Sequence, residues 1–363
     1  MILHFYLGRR FLWSFLLVFG VFVVLLALIE LIDELQDFPD LAFGDVLGLV
    51  LLKAPEANYE ILPLVVILST VALFLRLSRS SELVVVRAAG RSGARALVAP
   101  LVVASLIGVV GLTMLNPIVA ASAKRHNDLE NTYQGRSTST LAITREGLWL
   151  RQGDSAGQTV IHARKASSDL GTLLNTTFIS FTPDGTPTRR IAANEATLGD
   201  GEWQLSDVKL WDLSEGINAE NTAREIDELT LPSPLTRQRI VDSFGKPQYI
   251  SIWDLPAFIG QLEESGFSAR RYAVWLQMEL ARPLFLVALV MVAAAFTMRH
   301  SRLHNTGAAV LIAVLTGFGL HYIRNFAQIL GENGQIPVLL AAWAPPIASL
   351  LLAGGILLHM EEG

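Results

Sequence analysis

Three apolar runs, a polar stretch of about 150 residues and three more apolar runs lay out the chain, an order that few folds accommodate. The uncharged runs are Phe11–Ile29, Ile61–Leu75, Ala96–Ala123, Pro283–Met298, Thr306–Ile323 and Ile336–Leu358. A bilayer core of roughly 30 Å takes about 20 apolar residues as a helix, and the runs cluster around that length. The polar stretch is long enough to fold by itself. The expected architecture is an α+β membrane protein, six transmembrane helices with a β domain inserted between the third and the fourth.

The charged fraction, 17 % of 363 residues, is well below the usual quarter or so of soluble domains. No cysteine is present, which excludes disulfides and thiolate metal sites. The first span follows Arg9 and Arg10, but its run is longer than the apolar core of a signal peptide and no small-x-small site closes it, so it is expected to persist as a helix.

Orientation follows from the flanks. Arg9 and Arg10 precede span one, and Arg76, Arg79, Arg87, Arg91 and Arg95 lie between spans two and three against the single acid Glu82. Arg299 and Arg302 lie between spans four and five with no acid. The loop after span one carries Glu30, Asp33, Glu34, Asp37, Asp40 and Asp45 without a base. Both termini, loop 2–3 and loop 4–5 are therefore expected in the cytoplasm, and the polar domain outside. Pro55 is expected to separate an outer-surface helix, Val46–Leu52, from span two, and span four is expected to extend back over Trp275–Ala281.

The inserted domain, residues 124–271 between helical parts 1–123 and 272–363, alternates apolar and polar residues in Thr140–Leu150, Thr159–Ala163, Thr177–Phe181, Glu202–Trp211 and Glu225–Leu231. Period two marks half-buried strands. Gly153-Asp154, Pro183-Asp184-Gly185 and Gly199-Asp200-Gly201 supply turns. The pattern predicts a β-sandwich or jelly roll. A short helix, Ile252–Gly266, is expected to close it. An uncovered sheet edge would be open to a strand from another protein.

Signatures of chemistry are missing. Gly245-Lys246 is followed by Pro247 rather than Ser or Thr, so no phosphate-binding loop forms there. No nucleophile elbow, zincin helix or paired metal-spaced histidines occur, and no basic–aromatic stripe points to nucleic acid. The spans hold almost no carboxylates, which argues against ion-coupled transport.

The loop 77–96 carries the sharpest signal. Ser80 or Ser81 caps a short helix, Glu82 occupies its first turn and Gly90 ends it. Leu83, Val84 and Val86 form its apolar stripe, with Arg87 and Arg91 solvated. Such a helix either lies on the membrane through arginine–phosphate contacts or inserts into a groove of a cytoplasmic partner.

The run from Arg79 through Ser81-Glu82-Leu83-Val84-Val85-Val86-Arg87 to Gly90 resembles the coupling-helix motif of the LptF/LptG permeases, and its Ser-Glu-Leu-Val-Val core is closer to LptG. Glu146-Gly147-Leu148-Trp149, Ser265-Gly266 with Tyr272, Arg282-Pro283-Leu284, Gly317-Phe318-Gly319 and Ile336-Pro337 extend the similarity over nearly the whole chain.

The resemblance implies a non-catalytic subunit of a lipopolysaccharide exporter in the bacterial inner membrane. It would pair with a second permease of the LptF type and with two copies of an LptB-like ATPase, which would use the ATP and Mg. LptC-like and LptA-like proteins would form the periplasmic bridge, and the β domain, as a jelly roll, would meet it. The coupling helix near 80–91 would act through Glu82, Leu83, Val86, Arg87 and Gly90. The first and fifth spans would gate the lipid path, through Phe15, Phe19 and Phe22 on one side and Leu311, Leu315, Phe318 and Tyr322 on the other. Arg136, Arg282, His321 and Arg324 would meet lipid phosphates. Glu30, Asp33 and Glu34 depart from the family, whose members can carry a base there; as acids they would bind substrate through divalent cations or face a partner. No cofactor, metal or nucleic acid is expected on this chain. The competing readings are a membrane-anchored sensor or assembly scaffold, and a permease for another lipid or for lipoproteins. Lipoprotein-release permeases usually have four spans, which disfavours the last.

Overall fold

The computed structural model describes residues 2–88, 93–134, 142–144, 147–154, 157–167, 171–199, 201–213, 219–233, 235–236, 240, 245–298 and 306–362. The chain divides into two compact units. One comprises Met1–Glu130, Gln248–Trp253 and Arg270–Gly363, the other Asn131–Pro247 and Asp254–Ala269.

The first unit is helical: α1 (Ile2–Asp37), α2 (Phe43–Glu60), α3 (Leu62–Arg79), α4 (Glu82–Ala88), α5 (Gly93–Val110) and α6 (Asn116–Tyr133, which runs on into the second unit). A π-helical turn, Gly111–Leu115, joins α5 to α6. Among the described residues, five helical stretches are long and apolar enough to cross a membrane: Ile2–Asp37, Leu62–Arg79, Arg95–Tyr133, Gly307–Glu332 and Val338–His359. Proline sets the first break, though not the expected one. Helix α2 runs straight through Pro55, and the chain breaks at Ile61, where Pro63 opens α3. A proline within the first turn loses no bond of its own helix but cannot donate back to the preceding one, so the ladder of α2 ends there although Ile61 keeps right-handed dihedrals (φ −82°, ψ −6°).

Further along lie α7 (Leu255–Glu264, in the second unit), α8 (Arg270–Leu280), α9 (Arg282–Thr297), α10 (Thr306–Glu332) and α11 (Val338–Glu362). Pro283 acts on α8 and α9 as Pro63 does on α2 and α3: the two helices bend by 49° and together are long and apolar enough for one span.

Helix α9 is the centre of the helical unit. It packs on α3, α5, α10 and α11, and Phe285, Leu286, Leu289, Val290 and Ala294 on one side and Ala288, Val292 and Ala295 on the other are all buried. A helix apolar all round is an interior helix. Lipid is as apolar as leucine, so association rests on close packing and small residues. Gly108 of α5 shows this: a Cβ there would lie 2.6 Å from the Cα of Pro283. Gly317 of α10 lies as close to α3, where a Cβ would run into the Ile67 side chain.

Among its described residues the second unit carries seven strands: β1 (Ala142–Thr144), β2 (Gly147–Asp154), β3 (Gly157–Ala166), β4 (Thr172–Phe181), β5 (Pro187–Leu198), β6 (Glu202–Asp212) and β7 (Arg224–Pro232). They form one antiparallel sheet in the order β1-β2-β3-β4-β5-β6-β7. This is a meander rather than the expected jelly-roll connectivity, because every strand pairs with its sequence neighbour. The sequence pattern passed over β5, half of whose inward side is alanine: Ile191, Ala193, Ala196 and Leu198.

A crease crosses four strands of the sheet. In β5, burial passes from Ile191 and Ala193 to Ala196 and Leu198, with Asn194 and Glu195 both exposed. Strand β3 shows the same doubled exposure at Arg164 and Lys165, β4 at Leu174 and Asn175, and β6 at Ser206 and Asp207. The register aligns these positions, through Lys165↔Leu174, Leu174↔Glu195 and Glu195↔Ser206. Asn175 (φ 51°) and Asp207 (φ 52°) take the left-handed conformation that Asn and Asp tolerate best. The phase slip keeps one face buried on both sides of the crease, where strict alternation would turn it outward. Trp203 and Phe178 meet edge-to-face at 6.0 Å beneath it.

Candidate functional site

The corner between α3 and α4 is built around one carboxylate. Ser80 ends α3, and Ser81 turns the chain with φ 58°. The Ser81 carbonyl accepts the first bonds of α4, from the amides of Val84 (3.1 Å) and Val85 (3.3 Å). Glu82 then projects toward the start of α1. Arg10 Nη1 donates to Glu82 Oε2 at 2.6 Å and to Oε1 at 2.8 Å. Tyr6 Oη donates to Oε2 at 3.0 Å, and Ser80 Oγ to Oε1 at 2.8 Å. Arg10 also bonds Tyr6 Oη and lies over its ring at 5.3 Å. Partial burial opposes ionisation of Glu82, but the donors from Arg10, Ser80 and Tyr6 outweigh it and hold the carboxyl below its ordinary value. On α4 itself Val84 and Val85 are 45 % and 68 % exposed, and Val86 is half-buried. Leu83 and Arg87 belong to α4, with side chains outside the described set, and Gly90 lies outside the described residues.

The residues expected at the gates separate into two groups. On α10, Leu311, Leu315, Phe318 and Tyr322 are all exposed, at 58, 59, 39 and 68 %. On α1, Phe15 is buried in the main core cluster and stacks on Phe19 at 5.7 Å, while Phe19 and Phe22 pack partly buried against that cluster. The apolar side chains that α1 exposes are others, among them Leu16, Leu17, Val21, Val24 and Leu28. Helix α3 packs against both α1 and α10.

The expected phosphate-binding cations are not alike either. Arg282 is buried and engaged: Nη2 donates to Glu279 Oε1 at 2.5 Å, Nη1 to the Tyr59 carbonyl at 3.2 Å, and the guanidinium covers the Tyr59 ring at 4.0 Å. Glu279 is fully buried and also accepts from Tyr59 Oη at 2.5 Å and Asn116 Nδ2 at 3.5 Å. Asn116 Oδ1 in turn accepts from the Ile252 amide at 2.8 Å. The π turn places Asn116 there, and its Thr113 carbonyl accepts from Trp253 Nε1 at 3.3 Å. Arg282 is therefore the counter-ion of Glu279, not a free cation. Arg324 is buried, donates to the Met278 carbonyl at 3.3 Å and covers Phe285 at 5.3 Å; its Nε has no partner among the described residues. His321 is half-buried and bonds Asn325 at 3.1 Å. Arg136 lies outside the described residues.

The acids at the end of α1 are also paired within the chain. Lys53 of α2 lies 2.5 Å from Glu30 and 3.4 Å from Glu34, and His126 of α6 lies 3.0 Å from Glu34. Among the described residues no group of three His, Asp or Glu is placed to hold a metal ion. Glu30 and Glu34 thus form an α1–α2–α6 clasp with Lys53 and His126, while Asp33 is exposed.

The family profile "Lipopolysaccharide export system permease LptF/LptG" matches residues 5–359. The chain belongs to the LptF/LptG family. It is 25 % identical to the lipopolysaccharide export system permease protein LptG of Escherichia coli K12, over 96 % of this chain and 93 % of that one. The LptG of Haemophilus influenzae is 22 % identical over 95 % of this chain and 94 % of its own. Lipopolysaccharide transport, a multi-pass membrane location and a non-catalytic permease role come with the family. Within this LptF/LptG chain, exposed Val84 of α4 and the exposed apolar face of α10 are legible in sequence, whereas Val85, more exposed still, falls outside the expected stripe. Arg10 and Tyr6 beside Glu82, and Tyr59 and Asn116 beside Glu279, are not: the only local hint was a polar residue inside or beside an apolar run.

Proposed function

We propose that this chain is one permease half of an ATP-binding cassette transporter that extracts lipopolysaccharide from the outer leaflet of the inner membrane. Its counterpart is an LptF-type permease. Two copies of a cytoplasmic LptB-like ATPase supply hydrolysis with ATP and Mg. The β unit, on the periplasmic side, passes lipid to a bridge of LptC-like and LptA-like proteins, and both termini are cytoplasmic. The observation that carries this reading is α4: a seven-residue helix between two apolar helices, presenting Val84 and Val85 outward in a family member with no nucleotide-binding motif. Exposed branched apolar side chains on an isolated helix suit a partner groove. The bent pair α8–α9 serves as the fourth of six spans. The exposed faces of α1 and α10 border the lateral lipid path, and Arg324, which makes no ion pair among the described residues, is positioned near its phosphates with His321.

The test is co-purification with the ATPase from membranes. Val84→Asp with Val85→Asp should abolish association while leaving the chain's yield unchanged; undiminished association defeats the coupling assignment. Photocrosslinking of lipopolysaccharide should succeed from Leu315 and Tyr322 and fail from the inward-facing Phe15.

A further inference from the structure

Both oxygens of Glu82 are occupied, and by donors from two different places in the chain. Oε1 accepts from Arg10 and Ser80, and Oε2 from Arg10 and Tyr6. Two of these donors sit one turn apart on α1, the third on the last residue of the α3 corner. The arginine side chain is 19 % exposed and the glutamate 34 %, so the pair is sheltered. Seven residues are too few for a helix to hold itself together in water, and α4 starts on a left-handed Ser81. Left to its covalent connections, α4 would swing about Ser81. What fixes it is its packing on α3 and α5 and the carboxylate tie to α1.

We infer that Arg10, assisted by Tyr6, is a positioning residue that fastens the cytoplasmic end of α1 to α4, so that a displacement imposed on α4 is delivered to span one. This rests on the reading that α4 meets an ATPase and that α1 borders the lipid path. Any motion of α4 without α1 breaks three charge-assisted bonds at once, whereas joint motion breaks none. Arg76, at the end of α3, adds a second positive charge near Tyr6. A force applied at the exposed valines therefore has a short polar path to a 36-residue helix.

The test uses the assembled transporter in nanodiscs with lipopolysaccharide, measuring lipid released per ATP hydrolysed. Arg10→Ala should bind the ATPase and hydrolyse ATP as before but release about tenfold less lipid per ATP, the scale of an ordinary coupling energy. The chain contains no cysteine, so Arg10→Cys with Glu82→Cys places a unique thiol pair on this subunit. That double variant should be uncoupled, recover when joined by a short bis-methanethiosulfonate linker, and uncouple again in dithiothreitol. An unchanged ratio in Arg10→Ala, loss of ATPase binding in Arg10→Ala, or a linked pair no better than the unlinked one would overturn the inference. If the valine variants of α4 keep the ATPase bound, it is the underlying coupling reading that fails instead.

Discussion

Glu279 has no exposed surface and receives hydrogen bonds from a guanidinium, a phenol and an amide on three different helices. Removing one partner of such a pair leaves an uncompensated charge in a low-dielectric interior, which costs about 3–5 kcal/mol. Arg282→Met should therefore lower the unfolding temperature in detergent sharply, and Glu279→Gln with Arg282→Met should recover part of the loss. Glu82 behaves differently because solvent reaches it. Its carboxyl lies below the ordinary value in the folded chain, so its contribution is complete above that value and is lost as pH falls through the folded one. The protection of α4 from hydrogen exchange, corrected for the intrinsic rate at each pH, should thus stay constant from pH 7 down to roughly pH 4.5 and fall only below it. Both carboxylates stand out in the sequence as acids in unusual company. Their partners do not, since Arg10 lies 72 residues from Glu82 and Tyr59 lies 220 from Glu279. Local patterning carries no information at that separation.

Among the elements, the sheet crease is where period-two reading breaks down. A strand that slips phase midway loses its alternation over the full length, which is why only the second half of β4 stands out in the sequence and β5 does not. The crease makes a sharp prediction: a β-branched residue in left-handed geometry costs about 1–2 kcal/mol, so Asn175→Val should destabilise by that amount and Asn175→Gly should be near neutral, read by thermal unfolding of the full chain. Helix positions were legible because apolar runs without charge are long and unambiguous. Helix breaks were not, because Pro55 and Pro63 look alike in sequence and differ only in whether the preceding turn needs the missing amide. Close contacts are equally silent. Gly108→Leu should drive α5 away from α9 and cost about 1–3 kcal/mol, whereas Gly48→Leu, with open space around it, should change little in the same assay.

At the scale of the whole molecule, the family's order of spans, insert and spans places a long stretch of chain between parts that pack together. One core cluster joins Phe11, Val65, Phe74 and Leu97 to Phe285, Leu289, Ala293 and Ala313. Helix α9, which contributes four of the largest pieces of that cluster's later half, touches α3 and α5 directly. The first helices consequently enter the bilayer with faces shaped for a helix the ribosome has not yet made. At synthesis rates of about 5–20 residues per second, roughly 150 residues separate them from it, so they wait for tens of seconds or less with Gly108 uncovered. A chain ending at residue 271 should accordingly be degraded in pulse–chase, and co-expression of residues 272–363 should protect it. Biogenesis, not only transport, is then written into the position of the insert: the β domain is finished before the membrane unit that carries it can close.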